Sequence, residues 1–205
     1  ISLFLCVLSL SQASIFDYYK FGSGPYAPWK AGACLVPSVQ DNFQVNRFFT
    51  GHWYEHHSFG NYLFLFDGKC PTVEFNVTSN GEILALHYHY EKVLWKYDSV
   101  PGTSYTHFVK DGQGYLPITY PVLGGPATIE VPTFIVGTDY DNWAVVYSCK
   151  QASVLKAEMS WVLTRARNST DVLKPVLDLL RKNHLDFNRY TPADNDNCPR
   201  NEPHL

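Results

Sequence analysis

The 205-residue sequence lacks the motifs of the commonest enzyme classes. It has no Gly-x-Ser-x-Gly, no Walker-type phosphate loop and no His-Glu-x-x-His. Lysine and arginine number 16 against 19 aspartates and glutamates, and the net charge of −3 excludes a broad basic surface for nucleic acid or an anionic membrane. Internal repeats and low-complexity tracts are absent too. We therefore expect neither catalysis nor a nucleic-acid partner.

Apolar runs long enough to cross a membrane are also missing. Residues 1–10 are apolar but too short to span a bilayer, and the small residues Ser11, Ala13 and Ser14 follow them. This order is typical of the apolar core and cleavage site of a secretory signal. We predict a signal peptide over residues 1–14, without its N-terminal part since no initiator Met is present, and a secreted protein with no membrane span. The alternative is a buried N-terminal helix.

Cysteine is scarce, with five residues in all. One of them, Cys6, leaves with the predicted leader, and an even number in an oxidising compartment favours two disulfides over a catalytic thiol. The remaining four allow three pairings, and their spacing does not choose among them. Two sequons, at Asn76 and Asn168, are candidate N-glycosylation sites in regions that we expect to be exposed, although a sequon can stay unoccupied.

Residue patterns typical of β-strands are abundant in the chain. Aromatic residues make up 16% of it. We predict strands over residues 72–78, 82–90, 104–110, 116–120, 128–131, 133–138, 143–149 and 157–164, with turns at Ser79-Asn80-Gly81 and Pro101-Gly102. Evenly spaced, hairpin-linked strands favour a sandwich or an up-and-down barrel. After Arg165 the apolar spacing becomes helical, which predicts one amphipathic helix capped by Thr170 or Asp171.

Three stretches resemble, in order, the signature motifs of the lipocalin family. They are Asn42-Phe43 followed by Gly51-His52-Trp53-Tyr54, then Thr138-Asp139-Tyr140, then Trp161 to Arg165. The resemblance is strongest to the branch of apolipoprotein D, bilin-binding protein and crustacyanin. It implies an all-β fold, an eight-stranded antiparallel up-and-down barrel with one C-terminal α-helix packed outside. The implied divisions are an extension over residues 15–33, the lipocalin domain over 34–198 and a tail over 199–205.

The same resemblance implies structural roles. Disulfides are expected between Cys34 and Cys149 and between Cys70 and Cys198. Because these use every mature cysteine, none remains free for catalysis of the kind seen in prostaglandin-synthase-like lipocalins. The residues expected to serve structure rather than ligand are Gly51, Trp53, Thr138, Asp139, Tyr140 and Arg165.

For function, the resemblance implies a carrier that holds a small hydrophobic molecule such as a carotenoid, bilin, retinoid or other lipid. No cofactor is required, although a bound chromophore, carotenoid or biliverdin, is compatible with this reading. Strand alternation does not reveal which face points inward. The candidate ligand contacts are Tyr54, Tyr88, Tyr90, Phe108, Tyr120, Phe134, Val136, Val145 and Tyr147. The alternative is a coloration protein, a carotenoprotein subunit of crustacyanin type whose homo- or hetero-oligomeric assembly is part of its function.

Two pairs of histidines stand two or four residues apart in predicted strands. His52 and His56 share one strand face, and His87 and His89 share another, a spacing that can bring two imidazoles to one metal. No third ligand stands at an obvious spacing, so we expect no metal site. Solvent-facing or hydrogen-bonded histidines are the favoured reading, and polarisation of a chromophore or ligation of haem is the lesser one.

Overall fold

Eight antiparallel strands close into a barrel in the computed structural model, which describes residues 29–60, 68–122, 125 and 127–205. The strands are β2 (Gly51–Phe59), β3 (Lys69–Val77), β4 (Glu82–Glu91), β5 (Lys96–Tyr105), β6 (Tyr115–Val122), β7 (Ala127–Thr138), β8 (Trp143–Ala152) and β9 (Leu155–Thr164). Each pairs with the next, and β9 returns to β2. The two-residue strands β1 (Lys30–Ala31) and β10 (Thr191–Pro192) pair with β9 and β2. The all-β barrel prediction is confirmed. The predicted signal peptide lies outside the described residues.

Two α-helices flank the barrel, α1 (Val45–Phe48) and α2 (Leu173–Lys182). The predicted cap is wrong, because Val172 rather than Thr170 or Asp171 precedes α2, and no side chain caps it. Pro175 falls in the first turn, where its missing N–H leaves no helical hydrogen bond unmade. Val176 and Leu180 are fully buried against the outer face of the barrel, so the C-terminal helix packs outside as expected. In the described part of the chain, no helix has the length and apolar character needed to cross a membrane.

The predicted turn at Pro101-Gly102 is wrong. Both residues lie inside β5, where Gly102 pairs with Ala85 of β4. A Cβ atom on Gly102 would stand 2.5 Å from a ring carbon of Tyr120. Glycine is therefore needed here to make room for an inward-facing ring and not to turn the chain. The predicted strand over 104–110 accordingly ends at Tyr105.

One end of the barrel is sealed by Arg165. Its guanidinium lies 3.7 Å above the Trp53 ring, in cation–π contact, and donates hydrogen bonds to backbone carbonyls, including those of Thr50 at 2.7 Å and His52 at 2.9 Å. The fully buried Trp53 donates its ring N–H to the carbonyl of Phe48 at 3.0 Å. Gly51 begins β2 at φ +71°, a left-handed conformation that glycine adopts without strain. These contacts hold the pair together at this end of the barrel, where Trp53 also borders the interior.

The turn between β7 and β8 also lies at this end. Backbone N–H groups of Asn142 and Trp143 donate to the Asp139 carboxylate at 2.8 and 2.9 Å. Burial opposes ionisation of Asp139, but these hydrogen bonds outweigh it and hold its pKa below the usual value. The Tyr140 hydroxyl accepts from the backbone N–H of Gln44 at 3.1 Å. Thr138 completes the turn by donating from its hydroxyl to the carbonyl of Trp143 at 2.8 Å.

Two disulfides tie the ends of the chain to the barrel. Cys34–Cys149 and Cys70–Cys198 are both formed, which is the pairing that the resemblance implied. Their loops span 115 and 128 residues, so the chain-entropy account assigns each about 4–5 kcal/mol.

The C-terminal tail continues past β10 across a gap in the barrel wall. Pairing between β2 and β3 stops at Tyr54 and Thr72, and beyond it the backbone N–H of Cys70 donates to the carbonyl of Asp194 at 2.7 Å. Further along, Glu202 accepts from Arg167 at 2.7 Å and from the Tyr88 hydroxyl at 2.8 Å. The polar tail is thus held down by one covalent bond and a set of hydrogen bonds.

Candidate functional site

The barrel contains a partly open cavity of about 100 Å³. A single water needs roughly 10–15 Å³, so the interior is not filled by its own side chains. The wall is mostly apolar. Its Phe, Tyr and Trp members are Phe48, Phe49, Trp53, Phe75, Tyr88, Tyr120 and Trp161, and its aliphatic members include Val73, Val100, Ile118, Val131, Ile135 and Val146.

Strand register explains which residues face inward. Directly paired residues of antiparallel strands share a face, so the chain of pairs from Trp53 to Val73 to His87 to Val100 lies on the inner surface. All four line the cavity.

A β-bulge in β2 changes the alternation. Glu55 pairs with Leu163 and Ser58 pairs with Trp161, and both partners line the cavity. His56 is the extra residue that the bulge accommodates. Neither His52 nor His56 lines the cavity, and the His56 ring lies 4.5 Å from that of His57, which contacts Phe187 outside the barrel.

Glu55 is an acidic residue whose side chain lines the cavity. Burial raises its pKa from 4.5 to about 7, and a hydrogen bond from Ser58 offsets only part of that effect. Glu55 is partly accessible. Because its side chain lies on the inner face, it is exposed to the cavity and not to the outside of the barrel. An apolar wall thus surrounds a carboxyl group that is readily protonated near neutral pH.

His87 and Tyr120 form a second polar element on the wall. The Tyr120 hydroxyl and His87 Nε2 share a hydrogen bond of 2.9 Å. Burial lowers the pKa of His87 to about 4 and raises that of Tyr120, so both groups are neutral near pH 7. A neutral pair of this kind can orient the polar end of a ligand without demanding a charge on it.

Apart from the tyrosines, the other ionisable residues of the cavity wall are an aspartate and a histidine. Asp98 and His89 pair across β4 and β5 and line the cavity, and His89 also bonds Glu91 at 2.7 Å. Among the described residues that form the wall, none is a lysine or an arginine. The described part of the wall therefore places no lysine or arginine opposite a ligand carboxylate.

Two of the nine predicted ligand contacts border the cavity. Tyr120 faces it, with its ring filling the space above Gly102. Tyr88 contributes to the wall, but it alternates with the inward His87 and His89, and its hydroxyl reaches Glu202 of the tail. That hydrogen bond and burial raise the pKa of Tyr88, with burial the larger effect.

Four predicted contacts lie on the outside of the barrel. Phe134, Val136, Val145 and Tyr147 belong to the cluster that packs between the barrel wall and α2. The prediction placed them on the wrong face. Alternation carries a signal only where one face is polar, and here the outer face is apolar because the helix covers it. The residues of these strands that line the cavity are Val131, Thr133, Ile135 and Val146.

The other three predicted contacts are also off the cavity wall. Tyr54 points outward, with the guanidinium of Arg167 4.3 Å from its ring centre. Tyr90 is not one of the inward-facing residues of β4, and it contacts Tyr97 and Lys69. Phe108 sits in a 3₁₀ turn over Thr106–Phe108 and is 38% exposed, because β5 ends before it.

Sequence reasoning missed the polar residues of the wall. Glu55 was passed over although an acid among strand aromatics is an available signal. For His87 and His89 the favoured reading was solvent-facing or hydrogen-bonded side chains, with polarisation of a chromophore as the lesser one.

Comparison with known proteins agrees with this geometry. The family model Triabin matches residues 27–174, more than half of the chain. Apolipoprotein D of Mus musculus is 30% identical over 172 residues, which cover 82% of this chain and 85% of that protein. The chain is a lipocalin of the triabin family.

Solved lipocalin structures share its fold. Insecticyanin of Manduca sexta superposes with a TM-score of 0.69 at 18% identity, over 82% of this chain and 89% of the other. The amine-binding protein of Rhodnius prolixus, solved with tryptamine, gives a TM-score of 0.63 at 19% identity, over 80% of this chain and 86% of the other. At these identities the likeness shows the fold alone.

Proposed function

We propose that this lipocalin is a secreted carrier that holds one small hydrophobic ligand inside its barrel without transforming it. The observation that carries the proposal is the mostly apolar cavity inside the barrel with a few inward polar groups, which is the usual composition of a small-molecule site. The two disulfides support an oxidising, extracellular setting. The sequons at Asn76 and Asn168 support it too, since both residues are exposed and open to glycosylation.

The test is titration of the delipidated, oxidised protein with a retinoid, a carotenoid, biliverdin, a fatty acid and tryptamine. Trp53 and Trp161 line the cavity, so occupancy should quench tryptophan fluorescence. A matched pair of variants locates the site. Val146→Phe adds volume inside the cavity and should weaken binding at least tenfold, whereas Val154→Phe adds it at a position that is 74% exposed and should not. The proposal fails if no ligand binds at micromolar concentration or if the two variants behave alike.

The cavity wall favours ligands whose polar end is neutral or cationic. Glu55 and Asp98 line it and no lysine or arginine does in the described part of the chain, so a buried ligand carboxylate would stay unpaired. An amine would instead meet Glu55, and the Rhodnius protein in complex with tryptamine makes amines a reasonable class to try. Tryptamine should therefore bind more tightly than a fatty acid of similar size. The reverse order would refute the electrostatic reading while leaving the carrier proposal intact.

A coloured carotenoprotein subunit remains the second candidate function, and it rests on the sequence resemblance. The His87–Tyr120 pair supports it, because a neutral hydrogen-bonded pair can contact the keto end of a pigment. The visible absorption spectrum of protein purified from its natural source separates the two candidates. A bound pigment gives a band in the visible, and a colourless protein favours carriage of a lipid or an amine.

A further inference from the structure

On the outer wall of the barrel, His52, Glu74 and His204 bring three metal-binding side chains together. Their ligand atoms all lie within 4.8 Å of one another. The Glu74 carboxylate oxygen Oε2 is 3.7 Å from His52 Nε2 and 3.5 Å from His204 Nδ1. These residues come from β2, β3 and the end of the C-terminal tail. None of them takes part in the cavity described above.

These separations suit a tetrahedral ion. Zinc binds imidazole nitrogen and carboxylate oxygen at about 2.0–2.2 Å, so two of its tetrahedral ligands stand roughly 3.4 Å apart. Both measured distances to Glu74 are close to that value. All three ligand atoms lie within 4.8 Å of one another, and the side chain of His204 is 66% exposed, which leaves its ring room to adjust. Two histidines and one glutamate are also a ligand set that zinc uses, with water in the fourth position.

The fold holds the three ligands in place. His52 and Glu74 are directly paired residues of β2 and β3, which fixes two ligands on a rigid sheet surface. The tail that carries His204 is anchored nearby by the Cys70–Cys198 disulfide and by the ion pair of Glu202 with Arg167. The backbone N–H of Leu205 also donates to Glu74 Oε2 at 3.0 Å. A site that is largely formed before binding loses little entropy when the ion arrives.

We propose that His52, Glu74 and His204 bind a zinc ion that fastens the C-terminal end of the chain to the outer wall of the barrel. The sequence pairs His52 only with His56 and predicts no metal site, because Glu74 and His204 are 130 residues apart in the chain. The site is separate from the ligand cavity, so this proposal stands or falls independently of the carrier function.

The experiment is calorimetric titration of zinc into metal-free, oxidised full-length protein at pH 7.5, without an added histidine tag. We expect one equivalent to bind and the melting temperature to rise. His204→Ala, at an exposed position that should not impair folding, is expected to weaken zinc binding by more than about tenfold, the lower end of the loss that follows removal of even a supporting residue. His107→Ala alters an exposed histidine outside the cluster and should bind zinc as the wild type does.

Two further readouts test the ligand set directly. Cobalt substituted for zinc should give the intense visible bands of a tetrahedral ion, and these should disappear in Glu74→Gln. Binding should also weaken at pH 5, since each imidazole must lose its proton to bind the metal. Absence of binding, equal binding by His204→Ala and the wild type, or an octahedral cobalt spectrum would each overturn the proposal.

Discussion

Replacing Glu55 by Gln tests the central electrostatic feature of the cavity. Glutamine keeps the shape and polarity of the side chain but cannot ionise. In the folded protein burial raises the pKa of Glu55 from 4.5 to about 7. Between these two values the unfolded chain has released the proton while the folded chain still keeps it. Raising the pH through this window therefore lowers the free energy of unfolding of the wild type, and the loss is complete once the pH passes the folded pKa.

The size of the effect follows from the two pKa values. Each pH unit inside the window costs about 1.4 kcal/mol, and ionisation of the unfolded chain has already begun at pH 5, so the wild type should lose roughly 2–3 kcal/mol between pH 5 and pH 8 from this residue alone. Glu55→Gln should escape that loss. The variant should unfold with nearly the wild-type free energy at pH 5 and should be the more stable protein by roughly 2–3 kcal/mol at pH 8.

Urea denaturation at both pH values measures the difference, with the disulfides intact. Urea is preferred to guanidinium because it adds no salt to screen charges. Glu130→Gln is the control, since Glu130 is exposed and pairs with Thr119 on the outside of the barrel. The reasoning is refuted if the difference between Glu55→Gln and the wild type is the same at pH 5 and pH 8, or if Glu130→Gln shows the same pH dependence.

Two further substitutions test the frame around the cavity. Arg165→Ala removes a cation–π contact and several hydrogen bonds to carbonyls at the closed end, so it should lower the free energy of unfolding by about 3–5 kcal/mol while the folded fraction keeps its ligand stoichiometry. Arg181→Ala, at a surface ion pair with Asp178, should change it by less than about 0.5 kcal/mol, and equal effects in chemical denaturation would contradict the assigned role. Replacing Cys70 and Cys198 together by Ala should free the tail, so that limited proteolysis cuts after Tyr190 before it cuts the barrel. A tail that resists protease as well as in the wild type would show that hydrogen bonds alone hold it.

Local signals in the sequence narrowed the fold to a sandwich or an up-and-down barrel, and the lipocalin resemblance selected the barrel. Turn residues at regular intervals and runs of β-branched and aromatic residues are local signals, and so are the helical spacing of Val176 and Leu180 and the motifs around Trp53 and Arg165. Each depends on neighbours within a few positions, which one sequence displays in full. The pairing of the cysteines came from the family resemblance rather than from their spacing.

Only the tertiary structure decided which residues face the cavity. Val145 and Val146 are both buried, one under α2 and the other inside, so hydrophobicity alone does not tell their faces apart. The bulge in β2 shifts the phase after Glu55, so that Ser58 pairs with Trp161 of the cavity wall, and Gly102, which the Tyr120 ring requires, resembles a turn residue in the sequence. His204 meets His52 and Glu74 only because the tail folds back across the barrel. Which side chains face inward, which residues pair across strands and which distant segments meet all depend on how the strands pair. The sequence displays no local trace of that pairing.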